Sequence, residues 1–288
     1  MDPELDARAV ELGERYGYPM PVARLLALGR PALGDPDRWI SAAELELSTE
    51  HVPELIRLMM DGRWDTLEAS SPAVYAPVHA WRALGDLRAE EAIPALTALL
   101  FGNDEVSDDW VSEDVPVVLG LIGAGAIPAL ESYLGACRDD RPSCLSASRS
   151  IAQVGMRHPE EHDRCVQILM AKLEGHGEQH PALNGFLVGD LVDLKAQEAI
   201  PTIRAAFEAG SVDESIQGDL EDVEILLGLR QERSTPAEPF VWARSDPAAT
   251  GPSSADEGRD VRGEKAKKKA KRKQAEQTRK KARQRKKR

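Results

Sequence analysis

LGDLRAEEAIPALTALL occupies residues 84–100, and two later stretches repeat its grammar: LIGAGAIPALESYL from residue 121 and LVDLKAQEAIPTIRAAF from residue 191. Each places a proline inside what hydrophobic spacing marks as a helix. Aligned on Ile-Pro, the copies read Ile93-Pro94-Ala95-Leu96, Ile127-Pro128-Ala129-Leu130 and Ile200-Pro201-Thr202-Ile203, with Val52-Pro53-Glu54-Leu55 as an earlier member. The prolines stand 41, 34 and 73 residues apart, and the widest step has room for one more unit, whose second helix is predicted within Arg157–Leu173. Such spacing lies in the range of two-helix repeat arrays.

Within a unit the pattern is helix, break, helix. Val74, Val78, Trp81 and Leu84 form one helical stripe and Ile93, Leu96 and Leu100 a second. Gly85 and Asp86 are expected to break the first helix, and Gly102 to end the second in the left-handed conformation. The proline then has a physical role. In the first turn of a helix its missing N–H has no carbonyl to serve, and its fixed φ favours the start. One amphipathic pair cannot bury its own apolar face, so copies must stack. The expected fold is therefore all-α, a right-handed α-solenoid of two-helix repeats. It divides into an N-terminal helical cap (1–45), the repeats (46–210), an acidic capping helix (211–230), a disordered linker (231–264) and a Lys/Arg-rich tail (265–288).

These units resemble HEAT-like repeats of the phycobilisome-lyase type. More narrowly, LSTEHVPELIRLMMDG, HAWRALGDLRAEEAIPALTALL, GDLVDLKAQEAIPTIRAAF and VDESIQGDLEDVEILLGL, in that order, are similar to a bacterial HEAT-like family of unknown function. Members of that family often end in a cysteine-rich zinc motif. Here the C-terminus has no cysteine and a basic tail stands in its place. The resemblance implies a solenoid that binds macromolecules and carries over no catalytic residue.

Charge divides the chain sharply. Residues 265–288 hold 15 of its 37 Lys and Arg and one of its 49 acids, leaving 22 bases and 48 acids to the other 264 residues. The tail, through Lys267, Lys268, Lys269, Lys271, Arg272, Lys273, Arg279, Lys280 and Lys281, suits a polyanion. RNA or DNA would bind by counterion release, and with no aromatic side chain to stack on bases the binding would ignore sequence. Anionic lipid and the protein's own acidic body are the competing destinations. The N-terminus MDPELDARAVEL lacks the basic start and apolar middle of a secretory signal, and no apolar run reaches the roughly 20 residues that span a bilayer, so a cytoplasmic protein without a membrane partner is expected.

No phosphate-binding loop, nucleophile elbow or dinucleotide fingerprint occurs, so the expectation is a non-enzymatic protein-interaction scaffold without catalytic residues, cofactor or metal. The alternative is a nucleic-acid- or ribosome-associated factor acting through the tail. A lyase-like accessory activity would require a reactive cysteine or acid in a pocket. His158-Pro159-Glu160-Glu161-His162 matches the H-x-x-E-H string of inverted zinc peptidases. Pro159 instead suits a helix start, which puts His158 before the helix. Cys137, Cys144 and Cys165 are expected to be free, buried thiols. The sharpest partner-binding candidate is Trp110, an aromatic amid Asp104, Asp108, Asp109 and Glu113, which reads as an exposed anchor for a basic partner.

Overall fold

The computed structural model describes residues 3–32, 36–68, 70–104 and 108–236. Every regular element among them is helical: α1 (Pro3–Tyr16), α2 (Val52–Met60), α3 (Ala76–Asp86), α4 (Ile93–Phe101), α5 (Asp109–Ile122), α6 (Ile127–Ala136), α7 (Pro142–Arg157), α8 (His162–Glu174), α9 (Pro181–Asp193), α10 (Ile200–Glu208), α11 (Glu214–Gln217) and α12 (Leu220–Leu226), with short 3-10 turns between them. The chain divides into two compact units, the described residues up to Leu84 in one and those from Gly85 to 236 in the other.

The first unit packs α1 against a 3-10 turn at Val22–Leu26. A Tyr18 carbonyl and the Ala23 methyl crowd Gly13, leaving no room for a side chain there. Trp64 is buried, meets the Tyr16 ring edge-on at 5.3 Å and donates its indole N–H to the Leu58 carbonyl at 2.8 Å. Arg24, 6% exposed, pairs with Asp6 and Glu46 at 2.8 Å each. A buried guanidinium is tolerable only with such partners. Val74, Val78, Trp81 and Leu84 are all buried, as their spacing predicts.

In the second unit α5, α7, α9 and α11 pack on one another in chain order, and α6, α8, α10 and α12 do the same beside them. The Pro-bearing signature marks the starts of α2, α4, α6 and α10. Pro53, Pro94, Pro128 and Pro201 all fall in the first turn of their helices. The residue two places further on (Leu55, Leu96, Leu130, Ile203) is fully buried in every copy. The unit without Ile-Pro follows the same plan: a 3-10 turn at Pro159–Glu161 leads into α8, and Cys165 takes the buried slot.

Four details depart from the sequence reading. α3 runs through Gly85 to Asp86, and the chain turns at Arg88, whose φ is 51°. Gly102 is right-handed (φ −83°), its amide bonded back to Ala98 and the chain carried into a turn at Asn103. The acidic end is two short helices rather than one, parted at Gly218 with φ 85°; the side chain of Asp222 crowds that position. Finally, residues 231–236, expected to belong to the disordered linker, are bonded onto α12. Arg233 pairs with Asp219 at 2.5 Å and with Asp222, and the Ser234 and Thr235 amides donate to Glu221. The rest of the expected linker and the whole tail, including Lys267 to Lys281, lie outside the described residues.

Candidate partner-binding groove

Trp110 is 8% exposed, so it cannot be the exposed anchor that its acidic surroundings suggest. It belongs to α5, where positions 110, 111, 114, 115, 118, 119 and 122 are buried as one continuous helical stripe. Two neighbouring acids cap helices. Asp108 is the N-cap of α5 and accepts the Trp110 amide at 3.0 Å. Asp104 accepts the amide and hydroxyl of Ser143, at 3.0 and 2.8 Å, at the start of α7. Negative charge at a helix start is favoured by the unpaired amides there. Asp109 and Glu113 remain exposed on α5, and Glu113 is pushed above the usual carboxylate range by partial burial and by the charges of Asp114 and Asp109. Asp108→Ala should lower stability by about 1 kcal/mol, the ordinary worth of a cap; a denaturant midpoint unchanged within error would count against that role.

The histidines of the H-x-x-E-H string also close helices. The His158 Nε2–H donates to the Gly120 carbonyl at 2.9 Å, at the end of α5, and the His162 Nε2–H to the Leu194 carbonyl at 2.9 Å, just beyond α9. The bond to Leu194, followed by that to Asp163, raises the His162 pKa.

The cysteine expectation needs correction. Cys137 and Cys144 form a disulfide joining the end of α6 to the start of α7, and only Cys165 is free. Their Cα atoms stand 5.8 Å apart because the intervening loop reverses the chain between adjacent helices. Cys165 is fully buried and burial pushes its thiol up to about 11, so a thiolate nucleophile is not on offer there. Among the described residues no group of three or more His, Cys, Asp and Glu gathers as a metal set, and no single helix is long and apolar enough to cross a membrane.

A groove of about 500 Å³ opens instead across α5, α7, α9 and α11, lined by Leu145, Arg149, Phe186, Asp190, Asp193 and Gln217 among others. Two glycines on α9 bring α11 close: a methyl on Gly185 would strike Ile216 at 2.8 Å and one on Gly189 would strike Gln217 at 2.4 Å. Phe186 lies between them, 41% exposed. The polar centre is Asp190, 5% exposed, which accepts the Ser148 hydroxyl at 2.5 Å and the Arg149 guanidinium at 3.2 Å. Arg149 also pairs with the half-exposed Asp193. Burial pushes the Asp190 carboxyl up to about 6, against the opposing pull of Ser148 and Arg149. Ser148 is fully buried with its proton directed at Asp190. This arrangement fixes the guanidinium on the groove wall.

Arg149, Phe186 and Asp190 were missed by sequence reasoning. Asp190 did leave a signal, a carboxylate inside the apolar run FLVGDLV, whereas its pairing with Arg149, 41 residues away, is set by how α7 meets α9. No protein-family model, curated protein or solved structure matches this chain.

Proposed function

We propose that this chain is a non-enzymatic protein-interaction scaffold, built as a right-handed α-solenoid of HEAT-like two-helix repeats, whose partner lies in the groove across α7 and α9. The observation that carries the reading is the half-exposed Phe186 ring sharing a groove wall with Leu145 and the fixed Arg149. An aromatic anchor beside an oriented guanidinium is the composition of an interface hot spot. Repeat stacking supports it, since each added helix pair extends the same face.

Phe186→Ala is the test. An aromatic hot spot is worth about 2 kcal/mol or more, so the variant should retain roughly thirty-fold less partner in affinity capture by the full chain. The ring's exposure means that thermal stability should barely change. Capture of the same proteins in the same amounts would exclude the groove.

The tail supports a second reading, a nucleic-acid- or ribosome-associated factor, because 15 bases in 24 residues would release many counterions from RNA. A full-length variant with Gln at Lys267, Lys268, Lys269, Lys271, Lys273, Lys280 and Lys281 should lose most of its RNA affinity and flatten the dependence of log K on log salt. Equal slopes for variant and parent exclude the tail as the contact. The same variant reports whether the tail pairs with the acidic body, through the salt dependence of thermal stability without RNA.

A further inference from the structure

A second cavity, of about 280 Å³, lies between α6 and α8, the helices that pair beside the groove-forming series. Arg138 and Lys172 meet on its wall. The Arg138 Nη1 donates to the Cys137 carbonyl at 2.6 Å and to the Gly135 carbonyl at 2.8 Å, and the Lys172 ammonium donates to that same Cys137 oxygen. Two cationic side chains therefore share one acceptor at the end of α6. Neither is held by a carboxylate among the described residues, in a body with 48 acids to 22 bases.

The donor inventory leaves capacity unused. Lys172 keeps two N–H groups, and Arg138 keeps Nε and Nη2. Gln179, on the same wall, is held in place by its amide N–H groups, which donate to the Lys172 carbonyl at 2.8 Å and to the Asn184 Oδ1 at 3.2 Å. Leu134, Ile168 and Ala171 supply an apolar side, and Glu131 and Glu178 stand on the wall as well.

We propose that this cavity binds a phosphate group, free or carried on a small hydroxylated molecule. Its anionic oxygens accept from the remaining N–H groups of Lys172 and Arg138. The half-buried Lys172, lowered to about 8 by burial and by the Arg138 charge, regains its proton fully when a dianion arrives. Glu131 and Glu178 oppose the anion and limit its affinity.

The test titrates the full chain with inorganic phosphate and, separately, glycerol phosphate, following the Lys172 amine by NMR and heat by calorimetry at constant ionic strength. At least one probe should bind saturably, with the Lys172 pKa rising on binding. Lys172→Met and Arg138→Gln should each weaken it about ten-fold. Arg138 is exposed, so its loss leaves the fold intact, and both variants keep the basic tail, so phosphate held there cancels in the comparison. Glu131→Gln should tighten binding; a cationic ligand would reverse that sign. Tighter binding of glycerol phosphate than of phosphate assigns the small molecule, and the reverse assigns the free anion. Saturable binding of neither probe, affinity unchanged in both cation variants, or weaker binding in Glu131→Gln overturns the proposal.

Discussion

Gly120→Leu should cost about 3 kcal/mol of stability and pull α5 away from α7. The largest helix–helix interface of the second unit runs through this position: a Cβ on Gly120 would sit 2.6 Å from the Gln153 Cβ and 2.9 Å from the Gln153 backbone carbon. Backbone cannot step aside as a flexible side chain can. The expected result is therefore overpacking of the most severe kind, with off-rotamer neighbours and a displaced helix. The same helix end holds the Gly120 carbonyl that accepts from His158, so the variant also strains that cap. Gly135→Leu is the control. Nothing lies within 4 Å of a Cβ there, and its cost should be limited to the change in helix propensity, a gain if anything. Urea unfolding of the two variants gives a direct comparison. A Gly120→Leu midpoint equal to that of the parent would mean that α5 and α7 do not approach as described.

What could be read in advance follows from which interactions are local. The first-turn prolines and the buried residue two places after each were legible because one turn of helix contains both the cause and the effect. Val78 and Trp81 were legible because an apolar stripe has to be covered by something. Trp110 was misread for a related reason: judged by its neighbours in sequence it stands among acids, whereas as the start of α5 it continues the stripe of Val111, Val115, Val118 and Leu119. The acids around it then sit where helix starts want negative charge, on Asp108 and Asp104. The disulfide was invisible because two cysteines seven residues apart are bridged only if the loop between them folds back. The groove was invisible too. Phe186 looks like one more apolar residue of FLVGDLV until Gly185 and Gly189 bring α11 against α9 and leave the ring at the opening.

Opposite pH dependences are expected from two buried side chains, His79 in the first compact unit and Asp190 in the second. His79 is 7% exposed, with Nε2 at 2.8 Å from the Gly29 carbonyl, and burial lowers it to about 4 from an ordinary 6.5. The unfolded chain therefore takes up a proton that the native state refuses, so His79 adds stability above pH 6.5 and that stability is lost as pH falls from 6.5 toward 4. Asp190 is raised from 3.8 to about 6, so between those values the native state binds the extra proton. Its contribution runs the other way, with stability rising as pH falls from 6 toward 4 and no change above 6. At 1.36 kcal/mol per pH unit of displacement, each contributes on the order of 3 kcal/mol. The two terms largely cancel in a measurement on the whole chain. They separate in variants. Asp190→Asn keeps a hydrogen-bonding side chain for Ser148 and Arg149 while removing the charge that burial disfavours. It should match or exceed the parent at pH 7.5 and should lose stability more steeply on acidification, since the Asp190 term no longer offsets that of His79. His79→Gln should do the reverse, gaining in apparent melting temperature between pH 6 and pH 4.5. Parallel stability–pH curves for parent, Asp190→Asn and His79→Gln would show that neither side chain titrates from the buried position described.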